Sequence, residues 1–108
     1  HLFMPPSPSP PPTHLILLAH GLDGHPDDFT ALLATLRTHL PAAPKALLHS
    51  SAANLGANRD GVDAGARRLA AEIRGVKAGC PSLETLSVVG HSLGGLYLRA
   101  AVAELWEE

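Results

Sequence analysis

The residues Gly90-His-Ser-Leu-Gly94 fit the pattern G-x-S-x-G, and Gly95 extends it. A serine at the apex of a sharp strand-to-helix turn can act as a nucleophile on a carbonyl carbon. The two glycines meet a steric demand. The positions two before and two after such a serine pack too closely for a side chain. The flanks supply the context that the motif requires. Leu86, Val88 and Val89 mark an apolar strand over residues 84–89, and Leu96, Ala100, Val102, Ala103 and Leu105 predict a helix after the turn. Ser92 then stands at a helix N-terminus, where partial positive charge stabilises a developing oxyanion. A plain glycine-rich turn is the bland alternative; strand before and helix after favour a nucleophile elbow.

His20-Gly21 is the second signal, in the turn His20-Gly-Leu-Asp-Gly-His25 that follows an apolar run over residues 14–19. In an open parallel sheet, ligands bind beyond the carboxyl ends of the strands, where strand order reverses. If the first strand lies between the second and third, its following loop faces Ser92 across that crevice. The oxyanion hole would then take one N–H from Leu93 and a second from Leu22, with Gly21 allowing the close approach. Alone, His20-Gly21 reads equally well as an ordinary turn between strand and helix.

A serine nucleophile needs a base, and the base needs an acid to orient it. All seven histidines precede Ser92, and only Glu104, Glu107 and Glu108 among acidic residues follow it. Glu104 lies on the helix leaving the turn and should point away. His20 should border the site without serving as base. His91 adjoins Ser92 and is expected to pack behind the turn. His1, His14, His25, His39 and His49 have no recognisable role. The expectation is a partial domain whose acid and histidine lie elsewhere, which also suits a start at His1. Such a chain by itself should be almost inactive, because an unassisted hydroxyl is a weak nucleophile.

The elements that must position these groups alternate. A strand at residues 14–19 is followed by a helix opening at Pro26, with Phe29, Leu32, Leu33 and Leu36 on one face and Pro41 and Pro44 ending it. A second short strand spans residues 45–49. Residues 50–61 form a loop rich in Ser, Ala, Asn and Gly. A helix follows with Val62, Ala66, Leu69, Ala70 and Ile73 on one stripe, stopping at Gly75 or Gly79. Three β-α units of this kind predict an α/β fold, a parallel sheet with flanking helices; the resemblance of the turn at Ser92 to an α/β-hydrolase elbow implies an incomplete three-layer sheet of that type. Its third strand would be an unprotected apolar edge, prone to aggregation.

Residues 5–12 hold six of the ten prolines. They favour polyproline II geometry, so residues 1–13 read as a disordered tether before a domain over residues 14–108. A proline-recognition ligand is the alternative; Pro5 and Pro8 give its spacing, but no basic flank beyond His1 accompanies it.

Composition bounds the rest. With 108 residues the chain forms one small domain, and a net charge of -2 gives no footprint for nucleic acid. The longest apolar run, residues 15–19, is far short of the roughly 20 residues that span a bilayer. Cys80 is the single cysteine, so no intrachain disulfide forms, and its Gly-Cys-Pro setting reads as structural. The start carries no secretory leader pattern; with one cysteine this leans weakly toward an intracellular setting, and the missing initiator Met leaves compartment open. His20, Asp23, His25, Asp27 and Asp28 are close in sequence but fit no zinc spacing. Neither glycine-rich turn matches a nucleotide-binding pattern. No metal and no cofactor is expected, and the oligomeric state is open.

The stretches His14-Leu-Ile-Leu-Leu-Ala-His-Gly21 and Asp28-Phe29 resemble the opening strand and oxyanion loop of lipase-like α/β-hydrolases. Residues 60–73, Asp-Gly-Val-Asp-Ala-Gly-Ala-Arg-Arg-Leu-Ala-Ala-Glu-Ile, resemble one group of them, the serine esterases of domain-of-unknown-function family 676. Residues 90–99 are similar to that group's elbow and following helix. The resemblance covers residues 14–108. It implies ester hydrolysis on a small or lipid-like ester through Ser92, with peripheral contact to a lipid surface. The rival function is a lipase-like module that binds a lipid or protein without catalysis.

Overall fold

The computed structural model describes residues 10–56 and 59–106. Strand β1 (His14–Ala19) leads through a 3-10 turn (Pro26–Phe29) into helix α1 (Thr30–His39). Strand β2 (Ala46–Ser50), helix α2 (Val62–Gly79), strand β3 (Thr85–Gly90) and helix α3 (Leu93–Leu105) follow. The sheet order is β2-β1-β3, with both pairings parallel. His14 stands opposite Ala46 on one side and Thr85 on the other. The first strand is therefore central, which is the arrangement needed to bring its following loop beside Ser92.

A continuous apolar run suits a strand covered on both faces. Successive side chains of β1 alternate between them. Leu15, Leu17 and Ala19 pack with Ala66, Leu69, Ala70 and Ile73 of α2 and Tyr97, Leu98 and Ala101 of α3. Ile16 and Leu18 face the opposite way, onto Phe29, with Leu33 and Leu36 of α1 beside them. The result is three layers, helix on sheet on helices.

Two of the apolar residues that marked these helices lie outward. Leu32 and Leu96 are exposed, at 38% and 52%. On α3 the buried set is Gly94, Tyr97, Leu98 and Ala101, which recur at helical spacing. The cause is local. Gly94 is pressed against the Ala19 carbonyl, and that contact fixes the rotational phase of α3. On α1, Phe29 takes the buried place at the sheet, and Leu32 leans outward.

Residues 1–9 of the expected tether lie outside the described residues. Pro10 and Pro11 are exposed. Thr13, assigned to the tether, is already tied into the sheet. Its N–H donates to Lys45 O at 3.1 Å, and its carbonyl accepts from Glu84 N–H at 2.7 Å. Ser82 Oγ donates to Pro12 O at 2.6 Å. The start of β1 thus takes partners on both sides, which ties Pro12 and Thr13, both assigned to the tether, to the sheet. β3 forms an edge of the sheet, with Leu86 and Val88 exposed, as the sequence leads one to expect.

Candidate active site

Between β3 and α3 the chain reverses direction at one residue. Ser92 has φ 55 and ψ −126, a positive φ that L-residues rarely adopt. The surroundings hold it there. A Cβ on Gly90 would lie 2.5 Å from Gly95 Cα, and one on Gly94 would run into the carbonyls of Ala19 and His20. Gly94 N–H and Gly95 N–H donate back into the turn, to His91 O and Ser92 O, each at 3.0 Å. His91 N–H donates to Ala19 O at 3.1 Å, extending the β1–β3 ladder to the turn itself. That bond engages only the backbone of His91 and leaves its side chain to solvent. His91 is exposed, and the expectation that it packs behind the turn is corrected.

Gly21 meets Ser92 directly. A Cβ at Gly21 would stand 2.9 Å from Ser92 Cβ and 3.3 Å from Leu93 N. The loop after β1 and the first amide of α3 therefore share one small space. Leu93 N–H is one of the unsatisfied donors of a helix N-terminus. Leu22 follows Gly21 and is 48% exposed.

The carbonyl of Gly21 is held twice, by Gly24 N–H at 3.0 Å and by His20 Nδ1 at 3.2 Å. A carbonyl only accepts, so this bond places a proton on His20 Nδ1. His20 is 2% exposed, and its Nε2 has no partner among the described residues. Because a trans peptide is planar, anchoring the Gly21 carbonyl turns the Leu22 N–H to the opposite side.

Three histidines without an expected role have structural ones. His14 Nε2 meets Ser87 Oγ across β1 and β3 at 2.7 Å. His25 caps the 3-10 turn: its Nδ1 accepts from Asp27 N–H at 3.0 Å, and its N–H donates to Asp28 Oδ2 at 2.9 Å. The spacing His25-x-x-Asp28 is the sequence signal for this reciprocal cap. His49 Nε2 lies 3.5 Å from Glu72 Oε2. No described histidine hydrogen-bonds to Ser92.

A cleft of about 610 Å³ opens beside the β1 loop, between Asp23, Gly24 and His25 on one wall and Leu55, Gly56, Arg59 and Asp60 on the other. Arg59 bridges it to Asp23 at 2.8 Å. Arg68 grips Asp60 through two bonds, at 2.6 and 2.8 Å, and its guanidinium holds that carboxyl below the usual carboxylate range. Arg68 Nε also donates to Asn54 Oδ1 at 2.7 Å. Glu72 secures the near end of the same loop. Burial raises its pKa, but contacts from His49, Ser51 Oγ and Ala52 N–H outweigh this and hold it below the ordinary value. Thus the residue types in 60–73 serve to fasten the loop after β2 to α2. Asp23, His25 and Asp28 are each engaged in these local bonds, and no group of three metal-binding side chains occurs among the described residues. No described helix is long and apolar enough to cross a membrane.

No curated protein and no solved structure matches the chain. A family described as putative serine esterase, DUF676, matches residues 9–108. That match takes in both strands of the site, the turn at Ser92 and the loop at Gly21, so the chain belongs to the DUF676 serine esterase family.

Proposed function

We propose that this chain supplies the nucleophile and the oxyanion hole of a serine ester hydrolase of the α/β-hydrolase type. The observation that carries the reading is Ser92 at positive φ, with Gly21 against its Cβ and against Leu93 N. Ser92 Oγ attacks the ester carbonyl carbon, and its proton passes to a base. The carbonyl oxygen gains negative charge, which the N–H groups of Leu93 and Leu22 receive. The alcohol leaves with a proton, and water then cleaves the acyl-serine, restoring the hydroxyl. None of these steps calls for a metal or a cofactor. Leu22 and Leu55, each 48% exposed beside the cleft, suit an ester with an apolar acyl chain or one presented at a lipid surface. The reading assigns the nucleophile and the oxyanion donors, not the base.

A fluorophosphonate probe tests it, at pH 9, where solvent base assists the hydroxyl. Intact-mass and peptide analysis of the folded chain should find one adduct, on Ser92, and Ser92→Ala should remove it. An adduct of equal yield in Ser92→Ala, or none on a chain shown by circular dichroism to be folded, rules the assignment out.

His20 gives a second prediction. With its Nδ1–H removed, the Gly21–Leu22 peptide loses one of two anchors and the Leu22 N–H loses its aim. His20→Leu should slow labelling by about tenfold, below the 10²–10³ seen when a donor is deleted outright. His20→Asn, whose amide can replace Nδ1–H, should remain close to wild type. Equal rates in His20→Leu and wild type would show that the anchor contributes nothing.

A further inference from the structure

We propose that the wall of the cleft is strapped to α2 by a contact between His49 and Glu72 that tightens when His49 takes a proton. This inference does not depend on the chemistry at Ser92.

The strap begins where β2 ends. Ser51 N–H donates to Leu18 O at 2.7 Å, the last step of the β1–β2 ladder. The chain then leaves the sheet and passes beneath Glu72. One carboxylate oxygen accepts a hydrogen bond from the Ser51 hydroxyl; the other accepts from Ala52 N–H at 3.0 Å. Leu55 N–H donates to Ala52 O at 3.1 Å, so the fixed shoulder extends to the cleft residues Leu55 and Gly56. Ser51 is 2% exposed, so its bond to Glu72 is partly shielded, while Ala52 stands at the surface.

His49 reaches the same carboxylate from β2, at 3.5 Å. It is the one member of this group whose charge changes near neutral pH. Glu72 is the ionisable side chain that meets it among the described residues. On α2 the other cations act elsewhere: Arg68 and, at longer range, Arg67 on Asp60, Arg74 on Glu104, and Lys77 on the carbonyls of Pro81 and Leu83. Across the sheet, β1 places Leu17 opposite His49 in register. The side chains of His49 and Glu72 are only 34% and 18% exposed, so solvent screens the pair less than a surface pair.

The sign follows from both partners. The Glu72 carboxylate raises the His49 pKa against the opposing effect of burial. The pair's contribution is therefore complete below about pH 6.5, the ordinary histidine value, and fades as pH rises through the raised one. Glu72 is held below its ordinary range, so it stays ionised until pH falls below about 4.3. Between these limits the strap is tightest. Mild acid closes down motion of the cleft wall, and mild alkali loosens it.

Amide hydrogen exchange of the full chain tests this between pH 8 and pH 5.5, with rates divided by their intrinsic values. Protection of Ala52 and Leu55 should rise about threefold toward pH 5.5, the size expected of a partly exposed ion pair. Protection of the Leu17 amide in the core strand should change less. His49→Gln should abolish the rise. A flat profile in the wild-type chain overturns the proposal, whether or not the variant folds. So does an equal slope in His49→Gln, or a rise at Leu17 that matches the rise at Ala52.

Discussion

Gly94→Ala is expected to cost roughly 3–5 kcal/mol of folding stability, the upper range for a single substitution. The added methyl would meet Ala19 O, Ala19 C and His20 O, all backbone atoms. No flexible side chain can swing aside. Either α3 lifts from β1 or the loop after β1 is displaced. Lifting the helix also withdraws Tyr97, Leu98 and Ala101 from the core, because their phase depends on that contact. A domain of this size has on the order of 5–15 kcal/mol to lose. Urea unfolding should show a large fall in midpoint with little change in slope. Gly95→Ala is the control. It stands next in the same helix, yet an added Cβ there meets nothing within 4 Å. It should be neutral or stabilising by up to about 1 kcal/mol, the helix preference of Ala over Gly. Equal losses at the two positions would refute the steric account.

Tyr97→Ala should be the most damaging large-to-small change in the core, at about 3–5 kcal/mol. Tyr97 is the largest fully buried side chain among the described residues, and its ring lies over Gly65 of α2. A Cβ at Gly65 would overlap that ring, so α2 and α3 approach as they do because one helix has no side chain there. The two residues should therefore couple. Gly65→Ala alone should destabilise by about 1–3 kcal/mol through overpacking. In the Tyr97→Ala background the same methyl enters an emptied space, and its cost should largely vanish. A thermodynamic cycle of the four proteins measures this, and additive losses would contradict the packing described.

These contacts show what could be read from the residues alone. Apolar alternation and glycine spacing were enough to place the strands, because a buried strand and a tight turn each demand particular residue types. The three strands were expected over residues 14–19, 45–49 and 84–89. The second and third run one residue later, to Ser50 and Gly90. The turn at Ser92 was legible for the same reason: few sequences other than G-x-S-x-G can make it. The face of α3 was not. Five apolar residues predicted the helix but assigned it no face, because most of α3 is apolar; the Gly94–Ala19 contact sets its phase. The fastening of the loop after β2 was equally hidden. Glu72 and Arg68 look like solvated helix charges until the fold brings Ser51, Asn54 and Asp60 to them from the preceding loop. His25 was decipherable only as a cap, through Asp28 three residues on.

The central place of β1 also governs how this chain comes into being. The strand that is most apolar and most buried is made before both of its partners, and one of them, β3, ends only at Gly90. Ribosomes add about 5–20 residues each second. Some 4–14 s of synthesis then separate Ala19 from Gly90 at that pace. Throughout that interval the run Leu15–Ala19 lacks a neighbour on one side, and α3 has not yet formed to cover it. Contacts this distant in sequence slow folding relative to local ones. The segment that waits longest for its neighbours during synthesis is therefore the one that later becomes the least accessible.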